Sequence, residues 1–359
     1  MKIGIIGLMT SGKTTLFNLL TKSEVATETF SSGKWGANIG IADVPDQRID
    51  FLSDMFKPKK TTYAQIQFID VPGLEKGGGI EAVKFLEAIR QVDAVVHVVR
   101  AFENSEVPHP EGKVDPLRDI DLLTTELLFA DLAVIENRLQ RMAEDKKLRK
   151  GKEEEIEVLN KCRACLEEGK PISTIGLTER EQEIIKSYSF ISEKPMLIVI
   201  NMDEMQFEEK EYPGKEGLNE YAEQKNIPVI ELCALLEIEI DRLEEEDKKL
   251  FMKELNIKEP GISLVARKIY EYLGLISFFT VGEDEVKAWT IKKGTTARNA
   301  AGKIHTDLER GFIRAEVIAF DDLKESGSIS SARSKGLFRL EGKEYLVQDG
   351  DIINIRFNI

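Results

Sequence analysis

The sequence predicts an α/β fold: a mainly parallel sheet with helices on both faces, interrupted by a helical insertion and followed by an α+β module. Three observations lead there. Short apolar runs, Ile3–Ile6, Ala94–Val99 and Met196–Ile200, have the length and composition of strands buried on both faces. The first of these passes through a glycine turn straight into a helical pattern, Leu16–Leu20. Between the second and third lies a long stretch with apolar residues at heptad spacing, too regular to be a loop.

The first turn is the most specific feature. Gly7-Leu-Met-Thr-Ser-Gly12-Lys13-Thr14 has the Gly-x-x-x-x-Gly-Lys-Thr spacing of a phosphate-binding P-loop. Glycines let the backbone wrap a phosphate chain with its N–H groups inward. Lys13 places a cation on the β- and γ-phosphates and Thr14 a hydroxyl on Mg²⁺. The following helix directs its positive end at the anion. Thr10, Ser11, Gly12, Lys13, Thr14 and Thr15 are therefore the expected phosphate-side residues. Lys13 is also expected to stabilise charge on the transferred phosphoryl group.

Residues 21–37 lack periodicity and include Ser31, Ser32, Gly33 and Gly36, as expected of a first switch segment. Ile39–Val44 follows as a short strand. Ile66–Gly73 is a strand ending in Asp70-Val-Pro-Gly73. Asp70 is expected to hold Mg²⁺ through water, and the Gly73 N–H to sense the γ-phosphate. Gly77, Gly78 and Gly79 suit a second switch that must rearrange. Leu74 stands where many GTPases place a glutamine that orients the attacking water, so slow intrinsic turnover, or a water positioned by another group, is expected.

His97 lies within the Ala94–Val99 strand and reads as a hydrogen-bonded core histidine. Leu128, Leu132, Ile135, Leu139 and Met142 form a coiled-coil seam, and Ile156, Leu159, Cys162 and Leu166 a returning helix. The turn carries Lys146, Lys147, Arg149, Lys150 and Lys152, a basic tip. Cys162 and Cys165 share a seam with Val158 and read as packing; three cysteines in all suit a reducing compartment.

After the Met196–Ile200 strand comes Asn201-Met-Asp-Glu204, where GTPases carry Asn-Lys-x-Asp. Met202 replaces the lysine that covers the base, and Glu204 the aspartate that pairs with guanine. The longer side chain displaces the carboxylate by about 1.5 Å, so relaxed specificity with ATP accepted is expected. Ile227–Leu232 is the last strand of this sheet, and Cys233-Ala234 stands where a base-contacting Ser-Ala often occurs. From residue 277 onward, Val286–Ile291 alternates as a strand and Thr296–Leu308 reads as a helix. Glu344–Val347 and Ile352–Phe357 read as strands around Asp349-Gly350. No catalytic set is evident there; His305 reads as structural or binding.

The chain of 359 residues suggests two to three domains. The expected division is a nucleotide-binding domain at 1–118 and 190–276, a helical hairpin arm at 119–189 and a C-terminal module at 277–359. The formal charge of −14 argues against generic nucleic-acid binding, sequence-specific DNA included. It is uneven: residues 203–249 hold sixteen acids against six bases, whereas 277–359 hold thirteen of each. RNA contact at selected surfaces stays open. No apolar run reaches membrane-spanning length and no signal peptide is expected, which points to the cytoplasm.

Over nearly its whole length the chain resembles the YchF family of Obg-like ATPases. The stretches that carry the resemblance are Leu16-Phe-Asn, Val44-Pro-Asp-Gln-Arg48, Gly112-Lys-Val-Asp-Pro116, Asn201–Glu204, Ala300–Asp307 and Gly311–Glu316. The resemblance implies a nucleotide domain, a coiled-coil arm and a C-terminal TGS domain. It also implies Mg²⁺-dependent hydrolysis of ATP in preference to GTP, and association with the ribosome. Lys13, Thr14, Asp70, Gly73, Leu74, Asn201 and Glu204 match the family pattern. Met9, Thr10 and Ser11 depart from its usual Pro-Asn-Val, removing an asparagine that could hold potassium. Lys34 stands where the family's first switch has a threonine expected to reach Mg²⁺. Lys34 and Leu74 keep open a rival reading, a nucleotide-sensing module with negligible hydrolysis. A small-molecule kinase is a weaker rival, since neither an arginine-rich lid nor an acceptor pocket is evident.

Overall fold

The structure, a computed structural model, describes residues 1–23, 25, 38–73 and 80–358. It divides into two compact units, Met1–Ile41 with Gln67–Leu264, and Ala42–Ile66 with Val265–Ile359. The strands in chain order are β1 (Lys2–Ile6), β2 (Asn38–Val44), β3 (Lys60–Thr62), β4 (Ala64–Asp70), β5 (Ala94–Arg100), β6 (Met196–Asn201), β7 (Val229–Leu232), β8 (Leu275–Thr280), β9 (Glu285–Lys292), β10 (Phe312–Ala319), β11 (Arg339–Glu341) and β12 (Asp351–Phe357).

The first sheet runs β2-β4-β1-β5-β6-β7. β1 pairs in parallel with β4 and β5, β5 with β6, and β6 with β7. All seven residues of β5 are buried, as an unbroken apolar run in a covered parallel sheet requires. Parallel neighbours need crossovers, and helices supply them, α1 (Lys13–Thr21) after β1 being the first. This is the expected P-loop α/β fold. The chain leaves β1 with one neighbour on each side, so the carboxyl ends of β1, β4 and β5 open a crevice at a topological switch point.

The arm is built on one helix, Pro116–Glu144. Asp115 caps it by accepting from the Arg118 N–H, with Pro116 in the first turn. Its first half belongs to the nucleotide sheet: Leu123 and Leu127 pack with Ile6, Val95 and Phe85, and Ile120 with Val99, Ile198 and Ile200. From Leu128 the apolar face turns to the returning helix Glu153–Glu167, and Leu128 and Ile135 cluster with Val158, Leu159, Cys162 and Leu166. The hairpin therefore grows out of a helix rooted earlier than residue 119. Cys162 packs beside Val158 as expected.

The second unit has the sheet order β11-β10-β12-β8-β9-β3, with antiparallel β8–β9, β10–β11 and β10–β12 pairs. Its core joins Phe278, Ile291, Ala300, Ala301, Phe312, Ala315, Val317 and Ile353. Residues 42–66, expected in the nucleotide-binding domain, group here. β3 pairs in parallel with β9, Arg48 Nη1 donates to Asp349 Oδ2 at 2.8 Å, and Phe51 meets Phe320 edge-on. Glu344–Val347 is not a strand; Leu346 makes a single bridge to Thr296, and Arg339–Glu341 pairs with β10 instead. The expected Thr296–Leu308 helix breaks at His305, whose Nδ1 accepts from the Asp307 N–H and caps a new turn. Among the described residues no helix is long and apolar enough to cross a membrane.

Candidate nucleotide-binding site

Each glycine of the P-loop is required for a separate steric reason. Gly7 has φ +152°, and a Cβ there would lie 2.3 Å from the Val98 carbonyl oxygen on β5. Gly12 has φ +95°, and its Cβ would lie 2.3 Å from Asn201 Nδ2. Both are positions that any side chain would break. Gly12 begins α1, its carbonyl accepting from Leu16 N at 2.9 Å, so the loop amides stand at a helix amino terminus. Ser11 is buried and Thr15 half-buried beside it.

Lys13 is 8% exposed, with Nζ donating to the Leu8 carbonyl at 2.8 Å. Burial draws its pKa down to about 8, against the opposing pull of Asp70. Thr14 Oγ1 donates to Asp70 Oδ2 at 3.0 Å. Burial pushes the Asp70 pKa up, opposed by Lys13 and by bonds from Thr14 and Asn38. Among the described residues, nothing hydrogen-bonds to the buried Asp70 Oδ1. A buried carboxylate oxygen left over beside a threonine hydroxyl is the hard oxygen set that a Mg²⁺ ion takes, completed by phosphates and water. Gly73 closes the site: a Cβ there would lie 3.1 Å from Met9 Cγ and 3.2 Å from Lys13 Nζ. The switch residues Lys34, Leu74 and Gly77–Gly79 lie outside the described residues.

The Asn201–Glu204 motif divides its work. Asn201 is 5% exposed; Nδ2 donates to the Ser11 carbonyl at 3.0 Å and Oδ1 accepts from Ala234 N at 3.1 Å. Its amide thus clips the P-loop to the Cys233-Ala234 turn. Met202 is 3% exposed and packs with Val99, Ile120, Ile200 and Tyr212, so its contribution here is to the core. Asp203 caps the helix Glu204–Glu209 in a reciprocal box with Gln206. Glu204 is the exposed carboxylate of the set. Cys233 is buried at the start of the helix Ala234–Arg242.

Two features escaped the sequence reading. Arg100, at the end of β5, is 2% exposed and reaches Thr10 Oγ1. His109 Nε2 stands 2.9 Å from Asp119 Oδ2, with both side chains 3% exposed, while its Nδ1 accepts from Glu111 N. Neither belongs to a contiguous motif, so only the fold brings the partners together. His97 is buried as expected, but among the described residues neither ring nitrogen has a hydrogen-bond partner; its register neighbours on the two flanking strands are Ile6 and Ile198. Burial and the nearby Lys13 charge draw its pKa down to about 3.

Residues 2–161 match the family model described as 50S ribosome-binding GTPase, and residues 275–358 match YchF-GTPase_C, described as a protein of unknown function. The chain is 42% identical over 366 residues to the ribosome-binding ATPase YchF of Bacillus subtilis, covering 99% of each chain. It is 40% identical over 364 residues to the protein of that name in Escherichia coli O157:H7, covering 100% of this chain and 99% of the other. Among solved structures it is similar to the YchF GTPase of Schizosaccharomyces pombe, with a TM-score of 0.87, 32% identity, and coverage of 99% and 97%.

Proposed function

Because this chain belongs to the YchF family, we propose that it is a Mg²⁺-dependent P-loop nucleoside triphosphatase. In this reading it prefers ATP to GTP and acts as a nucleotide-dependent switch on the ribosome, in the cytoplasm. The observation that carries the reading is the P-loop itself, where the left-handed Gly12, the buried Lys13 ammonium and the Thr14–Asp70 pair converge on one crevice. Lys13 exchanges its bond to the Leu8 carbonyl for phosphate oxygens and, with the loop amides, stabilises charge on the transferred phosphoryl group. Thr14 and Asp70 would hold Mg²⁺, which would supply charge neutralisation to the bound polyphosphate. The Gly73 N–H reports the γ-phosphate, since glycine alone lets the backbone come this close to Lys13.

On the base side, Glu204 is the selecting group and the Cys233-Ala234 turn the support; Asn201 acts through its clip on both. Leu74 in place of a water-orienting glutamine supports slow turnover. The functional division is a nucleotide-binding domain (1–118 and 190–276, of which 42–66 group structurally with the second unit), an arm (119–189) and a TGS domain (277–359). The arm and TGS domain deliver the nucleotide state to the ribosome; the names of the bacterial relatives support that partner. The sequence positions Lys34 and Leu74 favour a second reading, a sensor that binds but barely hydrolyses. Phosphate release and MgATP binding, measured beside Lys13→Ala, decide between them. Release above the variant's background supports the enzyme; binding with equal silence supports the sensor; no binding overturns both.

A further inference from the structure

The P-loop contains one residue in a conformation its side chain disfavours. Thr10 has φ +61°, the left-handed region, where a β-branched residue is a genuine outlier. Glycine or asparagine would tolerate that region far better. Something must therefore hold Thr10, and the contact made to its side chain is Arg100 Nη1, donating to Oγ1 at 3.2 Å.

Arg100 is itself fixed on its other edges. Nε donates to the Phe102 carbonyl at 3.0 Å and Nη2 to the Val107 carbonyl at 2.9 Å. The guanidinium lies over the Phe102 ring, 4.4 Å from its centroid. It is 2% exposed, and burial draws its pKa down against the opposing pull of Glu103 and Asp119. A buried arginine bound to two carbonyls, a hydroxyl and a ring face is a rigid fork, a role lysine cannot fill with one ammonium. It stands on the strand end beside the crevice, and its charge lies next to the loop that receives a polyanion.

We propose that Arg100 is a positioning residue for the triphosphate: it pins Thr10 in the left-handed conformation that turns the following amides toward the phosphates, and ties that conformation to the segment 101–107. The inference rests on the P-loop being a nucleotide site, as argued above, but assigns a specific task to a residue outside the motif.

A double-mutant cycle tests it, with MgATP dissociation constants from calorimetry on the full chain. Wild type must bind first; if it does not, the nucleotide reading fails and takes this proposal with it, whereas the outcomes below bear on Arg100 alone. Arg100→Gln is expected to weaken MgATP about tenfold, because a charge-assisted fork is lost and Thr10 is free to leave the left-handed region. Thr10→Gly, whatever its own affinity, sets the reference for the second half of the cycle, since glycine adopts positive φ unaided. In the Thr10→Gly background, Arg100→Gln should cost less than about threefold. An equal tenfold loss in both backgrounds overturns the proposal, since Arg100 would then act independently of Thr10. So does an Arg100→Gln protein that binds like wild type. If Arg100→Gln does not fold, Thr10→Val carries the test: it keeps the shape and removes the acceptor. It should lose a similar factor, and wild-type affinity in it refutes the proposal.

Discussion

Asn201→Ala should unfasten the nucleotide crevice without touching a phosphate. The native amide makes two buried bonds, to the Ser11 carbonyl and from the Ala234 N–H, across 190 and 33 residues of chain. Each contributes about 0.5–1.5 kcal/mol net, and a buried partner left without one costs about 1–3 kcal/mol. The carbonyl can recover part of this from water once the side chain is gone, so the sum is about 2–4 kcal/mol. Urea unfolding followed by circular dichroism reads this as a lower midpoint at unchanged slope. MgATP affinity should fall as well, by about tenfold, because Ser11 and Gly12 lose their lateral support. Asn201→Asp gives a control with opposite chemistry. One carboxylate oxygen still accepts from Ala234, but the other faces the Ser11 carbonyl, so it should destabilise at least as much. A midpoint shift worth less than about 0.5 kcal/mol in Asn201→Ala would place the clip within the range of ordinary surface changes and refute the account.

Three further outcomes follow from the geometry. Glu204→Asp alone should move the ATP-to-GTP affinity ratio toward GTP by about tenfold; Met202→Lys should not be added, since that side chain is 3% exposed and would bury an ammonium. Competition titrations check this, and an unmoved ratio assigns base choice to other groups. His97→Leu should flatten the acid limb of stability. The folded pKa is depressed to about 3 by burial and then by Lys13, so the unfolded chain binds the extra proton below its ordinary value of about 6.5. The contribution is complete above pH 6.5 and lost as pH falls toward 3, at up to about 1.4 kcal/mol per pH unit; an unchanged limb contradicts the reasoning. Asp131→Ala should loosen the arm: the carboxylate is fully buried, 3.2 Å from Arg90 Nη1, and accepts from Ser192 N at 2.8 Å. About 2–4 kcal/mol in urea melts and faster proteolysis of the arm are expected, and identical digestion kinetics would count against it.

The legible parts of the sequence were those whose physical demands are local. Gly7 and Gly12 announce themselves because positive φ and close approach are properties of a few consecutive residues. The heptad seam from Leu128 onward is visible because side chains on one helix share a face. What stayed hidden depends on which distant segments become neighbours. Asn201 sits in a base-side motif, yet its amide donates once to Ser11 and accepts once from Ala234. Met202 was aligned with a base-covering lysine, yet the strand end turns it into the core. The attachment of residues 42–66 to the second unit rests on Lys60–Thr62 pairing with β9 and on Arg48 reaching Asp349, neither of which periodicity can reveal. The short β11 took the place expected for Glu344–Val347 because three residues beside β10 suffice to extend a sheet edge, whatever their propensity.

The hidden contacts and the legible motif serve the same end. A loop that must present several amides to one anion loses conformational freedom that a glycine-rich stretch has in abundance. Here bonds from the surrounding chain take up much of that loss. Asn201 holds the carbonyl of Ser11, Arg100 holds the hydroxyl of Thr10, and Lys13 is folded back on the carbonyl of Leu8. The first two braces come from the ends of β6 and β5, the most completely buried strands of the sheet, so the core fixes them. The third is different in kind. Its ammonium is desolvated, with the pKa drawn down to about 8, and phosphate oxygens offer it a stronger partner than a carbonyl does. The crevice is therefore rigid where it must recognise an anion and held by a weaker bond where that anion must displace something. Recognition and displacement are separated onto different residues of a single turn.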